Sequence, residues 1–456
     1  MTGERPDLPD ISDLRGGVLT PSDDGYQAAR GIFNDRLAGH PAMIVRCADA
    51  ADVRWALRWA RAEGLEISVR GGGHGLGGWA SNDDGVVVDL TRMRRVLVDP
   101  GTRTAWIGGG ARAGDVVSEA ARHGLVPVTG VTPSVGMGGL ATGAGEGYLT
   151  PLHGYASDNV LEFEVVTASG DTLRASATQR PGLYWALRGA GPNFGVVTAM
   201  RIRLHPLPEQ VTGGSLTFTT ADIPRATRNS WELMEHGSPF SFPQTMYAPG
   251  GDGSPTVTVF PGHTGPSDVA AREIGALRAG TNPVDDTAAT TYAGLLHQLD
   301  PDGDVEDEGG NRHLWDCFHL PFEGARGEQV DLLLSLLPLF GPNTMMELWP
   351  TRPAEIVGSE SVIPRSRGVT LVVLGMWTDP ADDSREIGIV ERISDTLRSS
   401  GLVRESPSAS NHVTVYTVNR VRDLYGADDF ARLRRLKSLY DPDNVFRNCY
   451  NVPPAS

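Results

Sequence analysis

The residues that first suggest chemistry are those at 70–75, RGGGHG, where a run of glycines leads into a single histidine and one further glycine. Glycine has no Cβ and accepts positive φ without penalty, so the N–H groups of such a run can converge on an anion, a pyrophosphate for instance. A tight turn ending on a surface histidine has the same composition, and these residues alone leave both readings open. A second stretch, TPSVGMGGLATGAGEG at 132–147, has the small residues that close approach of a flat or charged ligand requires, with a purely structural loop as the alternative. A third, GGGARAG at 108–114, superficially resembles a dinucleotide fingerprint, yet no acidic residue ends a following strand to hold a ribose. No GxSxG nucleophile motif is present, and His153, His263, His313 and His412 lack metal-ligand spacing such as HExxH. They are expected to be hydrogen-bonded structural histidines, and no metal site is expected.

These residues must be positioned by elements, and the pattern supplies them. AMIVRC at 42–47 predicts a strand, Asp49 opens a helix whose Val53, Ala56, Leu57 and Ala60 share one face, and EISVR at 66–70 predicts the strand that runs into the first glycines. GVVVDL, RRVLVDP and RTAWIGGG then alternate with turn residues as antiparallel strands do. A helix is expected at 113–123, a folded loop at 131–147, a hairpin turned at Ser169, Gly170 and Asp171, and a short helix at 183–187. GVVTAMRIRLHPL closes this unit, and Pro206 and Pro208 mark its boundary. Beyond Gln210 the strands SLTFTT, TVTVF and VTLVVLGMW interleave with helices at 268–279, 327–338 and 384–399, which predicts an α+β unit with an antiparallel sheet. The acidic stretch at 300–310 reads as a solvated connection, and the helix FARLRRLKSLY leads into YDPDNVFRNCYNVPP.

At 456 residues, 40% hydrophobic and 21% charged, the chain has the make-up of a folded protein of several domains. A net charge of -16 without clustered Lys and Arg argues against a nucleic-acid partner. The opening MTGERPDLPD lacks the apolar core of a secretory signal, and no run approaches the roughly 18–20 apolar residues of a membrane span. A cytoplasmic location and no membrane partner are the expectation. Cys47, Cys317 and Cys449 are widely spaced and read as buried free thiols.

Taken in order, RGGGHG, GVTPSVGMGGLATGAGEGYL, HGYASDNVLEFEVVTASGD, LYWALRGAGPNFGVVTAMRIRLHPL and YDPDNVFRNCYNVPP resemble the berberine-bridge-enzyme-like FAD oxidoreductases of the vanillyl-alcohol-oxidase superfamily. The resemblance covers most of the chain and is looser from about 210 to 410. It implies a two-domain α+β architecture of the PCMH type: a FAD-binding domain at 1–208 with its core at about 36–208, an antiparallel-sheet substrate domain at 209–411, and a segment at 412–456 that returns to the first.

The same resemblance implies that His74 bonds the 8α carbon of the flavin, a role that suits a neutral imidazole nitrogen acting as nucleophile. Arg70, Gly71, Gly72, Gly73 and Gly75 match positions that line FAD, as do Ser134, Val135, Gly136, Gly138, Gly139 and Gly143. Asp158, Asn159, Gly195, Val197 and Asn444 match others. Thr132 stands where many relatives place a cysteine that makes a second flavin bond; a hydroxyl is far less nucleophilic than a thiolate, so a single link is expected. Glu146 departs from the common GGGxG pattern and either faces the substrate or points to water. A small aliphatic side chain at Val135 is associated in the family with oxygen access, which favours an oxidase with molecular oxygen as acceptor.

Tyr416, in a partial match to the family's YxN motif, and Glu355 are the candidates for the catalytic base. Trp349 and Trp377 are expected either to stack on substrate or to fill the core. The implied reaction is oxidation of a small organic alcohol, amine or ring C–H, with a secondary metabolite favoured over a common sugar. An oxygenase or oxidative cyclase on the same fold, or a flavin-containing ligand-binding protein without turnover, are the alternatives.

Overall fold

The computed structural model describes residues 11–300, 310–354, 360–406, 412–414 and 417–455. Three sheets carry the architecture. The first orders its strands β1 (Gly17–Leu19), β2 (Met43–Arg46), β4 (Val86–Asp89) and β3 (Ile67–Arg70). Helix Ala50–Ala62 links β2 to β3; Asp49 caps it by accepting from the Ala51 and Asp52 amides at 2.8 and 3.2 Å, and Val53, Ala56, Leu57 and Ala60 are fully buried. The central strand β4 pairs in parallel with both β2 and β3. GVVVDL is therefore no antiparallel strand. All of Val86–Asp89 is buried, as a central parallel strand requires, and the uninterrupted valines were the signal for it.

The second sheet orders β5 (Val96–Asp99), β6 (Thr104–Gly108), β10 (Val196–Pro206), β8 (Val160–Val166) and β9 (Thr172–Ser176), with β7 (Leu125–Pro127) pairing the far end of β10. All its pairings are antiparallel. The glycine-rich stretch at 131–147 is only partly a loop, because helix Met137–Gly143 forms within it. Seven residues rich in glycine are too short and too weak a helix for the pattern to reveal, and packing supplies what propensity lacks.

A short separate pair, β11 (Val211–Gly213) and β16 (Ala288–Thr290), accompanies the third sheet. Its eight strands run β15 (Val284–Asp285), β12 (Leu216–Phe218), β14 (Pro255–Phe260), β13 (Gln244–Pro249), β18 (Thr344–Thr351), β19 (Gly368–Trp377), β17 (Arg312–Pro321) and β20 (Arg404–Glu405), antiparallel throughout. Helices Ser267–Arg278, Arg326–Leu336 and Asp383–Ser400 fall where the pattern predicts, and Ile223–His236 adds a fourth. They bury one face of the sheet, where Met346 and Leu348 of β18 and Leu371 and Val373 of β19 pack. Alternation then turns Trp349, Val372 and Leu374 into a different core cluster on the opposite face.

The C-terminal tail is drawn back to the first two sheets by Lys437 in helix Ala427–Tyr440. Its fully buried ammonium donates to Asp441 at 2.7 Å and to the carbonyls of Asn193 and Phe446 at 2.7 and 2.9 Å. Further along, the Asn448 amide donates to Ser68 Oγ at 2.6 Å and to the Ser81 carbonyl at 2.9 Å. Among the described residues no helix is long and apolar enough to cross a membrane.

Candidate active site

A cavity of about 690 Å³ lies between the glycine loops and the uncovered face of the third sheet. Several of its glycines are required for steric reasons. A Cβ on Gly72 would lie 2.4 Å from the Gly136 nitrogen, and one on Gly136 would lie 2.4 Å from the Gly72 nitrogen, so the two loops meet backbone to backbone. A Cβ on Gly138 would meet the Gly109 carbonyl at 2.5 Å, and Gly109 is itself pressed against the Val197 carbonyl. The GGGARAG segment thus brings the second loop and β10 together. Gly139 looks into open space.

Gly71, Gly72, Gly73, His74 and Gly75 line the cavity, as do Ser134, Val135, Gly136, Gly138 and Gly139. Gly195 and Val197 join them from β10 and the turn before it, and Thr132 also faces in. The other predicted residues lie elsewhere. Arg70 is buried with its guanidinium on the Ala29 carbonyl. Gly143 ends its helix away from the wall. Asp158 is ion-paired with Arg365 and caps the Tyr155 amide, while the Asn159 amide donates to the His153 and Tyr155 carbonyls and its oxygen meets His205 at 2.8 Å. Asn444 stands at φ 51° in the turn before the tail, whose Phe446, Asn448, Cys449 and Tyr450 are the wall residues. Tyr416 and Glu355 lie outside the described residues.

His74 is held in a stack of three rings. Phe33 sits 4.9 Å from His74 on one side and 4.4 Å from His313 on the other, nearly parallel to both. Phe33 donates its amide to the Gly73 carbonyl at 3.1 Å. Beside it the fully buried Asn34 donates to the Leu76 and His313 carbonyls at 3.0 and 3.1 Å and accepts the His313 amide at 3.0 Å, bolting the first glycine loop to β17. Burial pushes the His74 imidazole down to about 4 against the opposing pull of Asp300, with Arg112 and His313 adding to the depression. Among the described residues its buried Nε2 has no hydrogen-bond partner, a polar atom left over for something else.

The floor contributes Gln244 and Met246 from β13, Met345, Glu347 and Trp349 from β18, and Leu374 and Met376 from β19. His313 and Trp315 continue it on β17, so His313 is a wall residue, as is His412. His263 keeps the expected structural role, 3.4 Å from Glu273. Trp349 donates its indole N–H to Glu146 at 3.0 Å, which places that carboxylate in the cavity wall and away from bulk water. Trp377 is core, bonded to Asp383 at 2.7 Å. Gln244 donates to Glu347 at 2.9 Å, and burial pushes the Glu347 carboxyl up to about 7. Three carboxylates, Glu146, Asp300 and Glu347, face the cavity, and none of the described lining residues is Lys or Arg.

Residues 41–176 match the FAD binding domain family and residues 399–453 the family described as berberine and berberine like. Over 463 residues, 97% of each chain, the sequence is 34% identical to (R)-6-hydroxynicotine oxidase of Paenarthrobacter nicotinovorans. This chain is a berberine-bridge-enzyme-like FAD-linked oxidoreductase. The crystal structure of 6-hydroxy-D-nicotine oxidase from Arthrobacter nicotinovorans superposes on this oxidoreductase with a TM-score of 0.89 at 31% identity, covering 98% of this chain and all of that one. Glucooligosaccharide oxidase from Acremonium strictum, which carries a 6-S-cysteinyl, 8α-N1-histidyl FAD, shares the fold at a TM-score of 0.83 and 19% identity over 97% of this chain and 98% of its own.

The residues present fit FAD. The paired glycine loops offer a cradle that side chains would fill, and among the described residues an imidazole nitrogen stands unpartnered in the wall. Phe33, Gln244, Trp315 and Glu347 were missed from sequence. The one legible signal was Glu347, a lone carboxylate inside the apolar strand TMMELWPT.

Proposed function

We propose that this oxidoreductase is an oxidase that carries FAD on a single covalent bond from His74 and oxidises a small, largely apolar organic molecule on the floor of the third sheet. FAD supplies a two-electron acceptor that molecular oxygen regenerates. The observation that carries the reading is His74 itself: half-buried with its Nε2 enclosed, clamped by Phe33, kept neutral by its surroundings and, among the described residues, left with an unpartnered nitrogen at the cavity wall. The glycines of both loops would bind the cofactor's phosphates through N–H donors, while the Ser134 hydroxyl donates to Asp300. Thr132 faces the cavity where a thiol would make a second bond, which supports the single link.

Met246, Met345, Leu374 and Met376, with Trp315 and Trp349, give the substrate chamber an apolar lining. Such walls exclude water and favour a flat hydrocarbon framework. A secondary metabolite handled inside the cell suits this chamber, and Tyr416 or Glu355 remains our choice for the base. The test is acid precipitation of the purified protein. The parent should give a yellow pellet and His74→Ala a colourless one; a yellow pellet from the variant refutes the attachment site.

A further inference from the structure

We propose that Met246, Met345 and Met376 form a peroxide-reactive site in the chamber floor, where accumulating hydrogen peroxide converts the thioethers to sulfoxides and weakens the chamber's hold on apolar ligands. The enzyme as source of that peroxide rests on the oxidase reading above. The three side chains lie on neighbouring antiparallel strands, β13, β18 and β19, and all line the cavity. Met246 stands opposite Glu347, two residues from Met345; Met345 stands opposite Leu374, two residues from Met376. Each step is a diagonal across an antiparallel pair, which spans about 7–8 Å and is within reach of long side chains. A row of thioethers thus crosses the floor.

Exposure sets these three apart. They are half-buried, whereas Met43, Met137, Met200, Met234 and Met346 are at most 2% exposed; Met93 is half-buried too but lies outside the cavity. The contrast is sharpest on β18, where Met345 meets the cavity and the next residue, Met346, is sealed under the helices. Peroxide is small and reaches any surface the cavity opens to, while close packing shuts it out of the core. Cys449, also on the wall, competes poorly, because burial pushes its thiol up to about 12 and leaves almost no thiolate. The step is balanced: sulfur gives two electrons, the peroxide O–O bond breaks, one oxygen forms the S–O bond, and the other leaves with both protons as water. A flexible apolar side chain becomes a polar, chiral one. Next to Leu374 and Trp349 the S–O dipole spoils a wall that suits hydrocarbon.

The test treats the flavin-loaded enzyme with hydrogen peroxide and reads each methionine by peptide mass spectrometry. Adjacent Met345 and Met346 fall in one peptide, so each is the other's control. Met345 should oxidise at least about fivefold faster than Met346, with Met246 and Met376 close to Met345, and Met200 and Met234 close to Met346. In urea, where packing no longer separates them, the ratio should fall to about one. Toluene binding, measured by calorimetry, reports the chamber. Its affinity should drop at least about threefold when the parent is oxidised. A variant carrying Met246→Leu, Met345→Leu and Met376→Leu should keep its own starting affinity within about twofold after the same treatment, and Met93→Leu should respond as the parent does.

Equal oxidation of Met345 and Met346 in the folded enzyme overturns the proposal. So does a triple variant whose toluene affinity falls as far as the parent's, or a parent that binds no toluene before treatment. The parent's peptide ratio decides even if the variants misfold. Because the peroxide is added as a reagent, the oxidase reading fails separately: a dithionite-reduced flavin that yields no peroxide when air is admitted refutes that reading, and the peptide ratio still decides this one.

Discussion

Removing Phe33 tests whether the ring stack sets the chemistry of His74. An ordinary imidazole with a value near 6.5 is about 91% neutral at pH 7.5 and about 9% at pH 5.5, a tenfold loss of nucleophile. Half-enclosed behind Phe33 and held at about 4, His74 stays about 97% neutral at pH 5.5. Covalent attachment should therefore change less than about twofold between these pH values, as long as the neutral imidazole limits the rate. Phe33→Ala opens the imidazole to water and takes away a stacking contact of about 0.5–1.5 kcal/mol. The dependence on pH should then climb towards that of the free side chain, with attachment at pH 5.5 falling severalfold relative to pH 7.5. The assay mixes apo-protein from a riboflavin-starved host with FAD and follows the flavin that survives acid precipitation. A parent enzyme whose attachment already falls tenfold with a midpoint near 6.5 would show that burial does not tune this histidine.

Three further outcomes follow from the same geometry. Gly136→Ala places a methyl group 2.4 Å from the Gly72 nitrogen, so this variant should fold with little or no bound flavin, read as the ratio of visible to ultraviolet absorbance. Lys437→Met strands the buried Asp441 carboxylate and two carbonyls, at a cost of roughly 3–5 kcal/mol; an unchanged urea midpoint would contradict this. His313 and His319 are held near 4 in the folded chain, chiefly by burial, but titrate near 6.5 when unfolded. The unfolded chain therefore binds more protons between those values, and stability falls as pH drops below about 6.5, by roughly 2 kcal/mol for each histidine at pH 5. Urea midpoints that are flat from pH 7 to pH 5 would show that these rings do not carry the effect.

The first two sheets were largely legible because their signals are local. Asp49 announces a helix cap, Val53, Ala56, Leu57 and Ala60 announce its buried face, and glycine runs announce places where backbones touch. The partner that each strand takes is not local, and GVVVDL could declare its parallel neighbours only through burial on both faces. In the third sheet VTLVVLGMW reads as one apolar run, since Leu371 and Val373 face helices while Val372 and Leu374 face the opposite core, and both sides are dry. The cavity wall followed the glycines, yet Asp158 and Asn159 are bound up in local caps and an ion pair. The stack of His74, Phe33 and His313 joins residues 239 positions apart along the chain, from His74 to His313, and no spacing rule reaches that far.

The two-sided third sheet separates what lines the cavity from what keeps the enzyme folded. On β18, odd-numbered positions 345, 347 and 349 meet the cavity while Met346 and Leu348 hold the helices. Exchanging residues of one parity should retarget the enzyme to new molecules at little cost in stability, and exchanging the other parity should do the reverse. A lineage built on this sheet can therefore diversify its chemistry by rewriting every second letter of a few short strands.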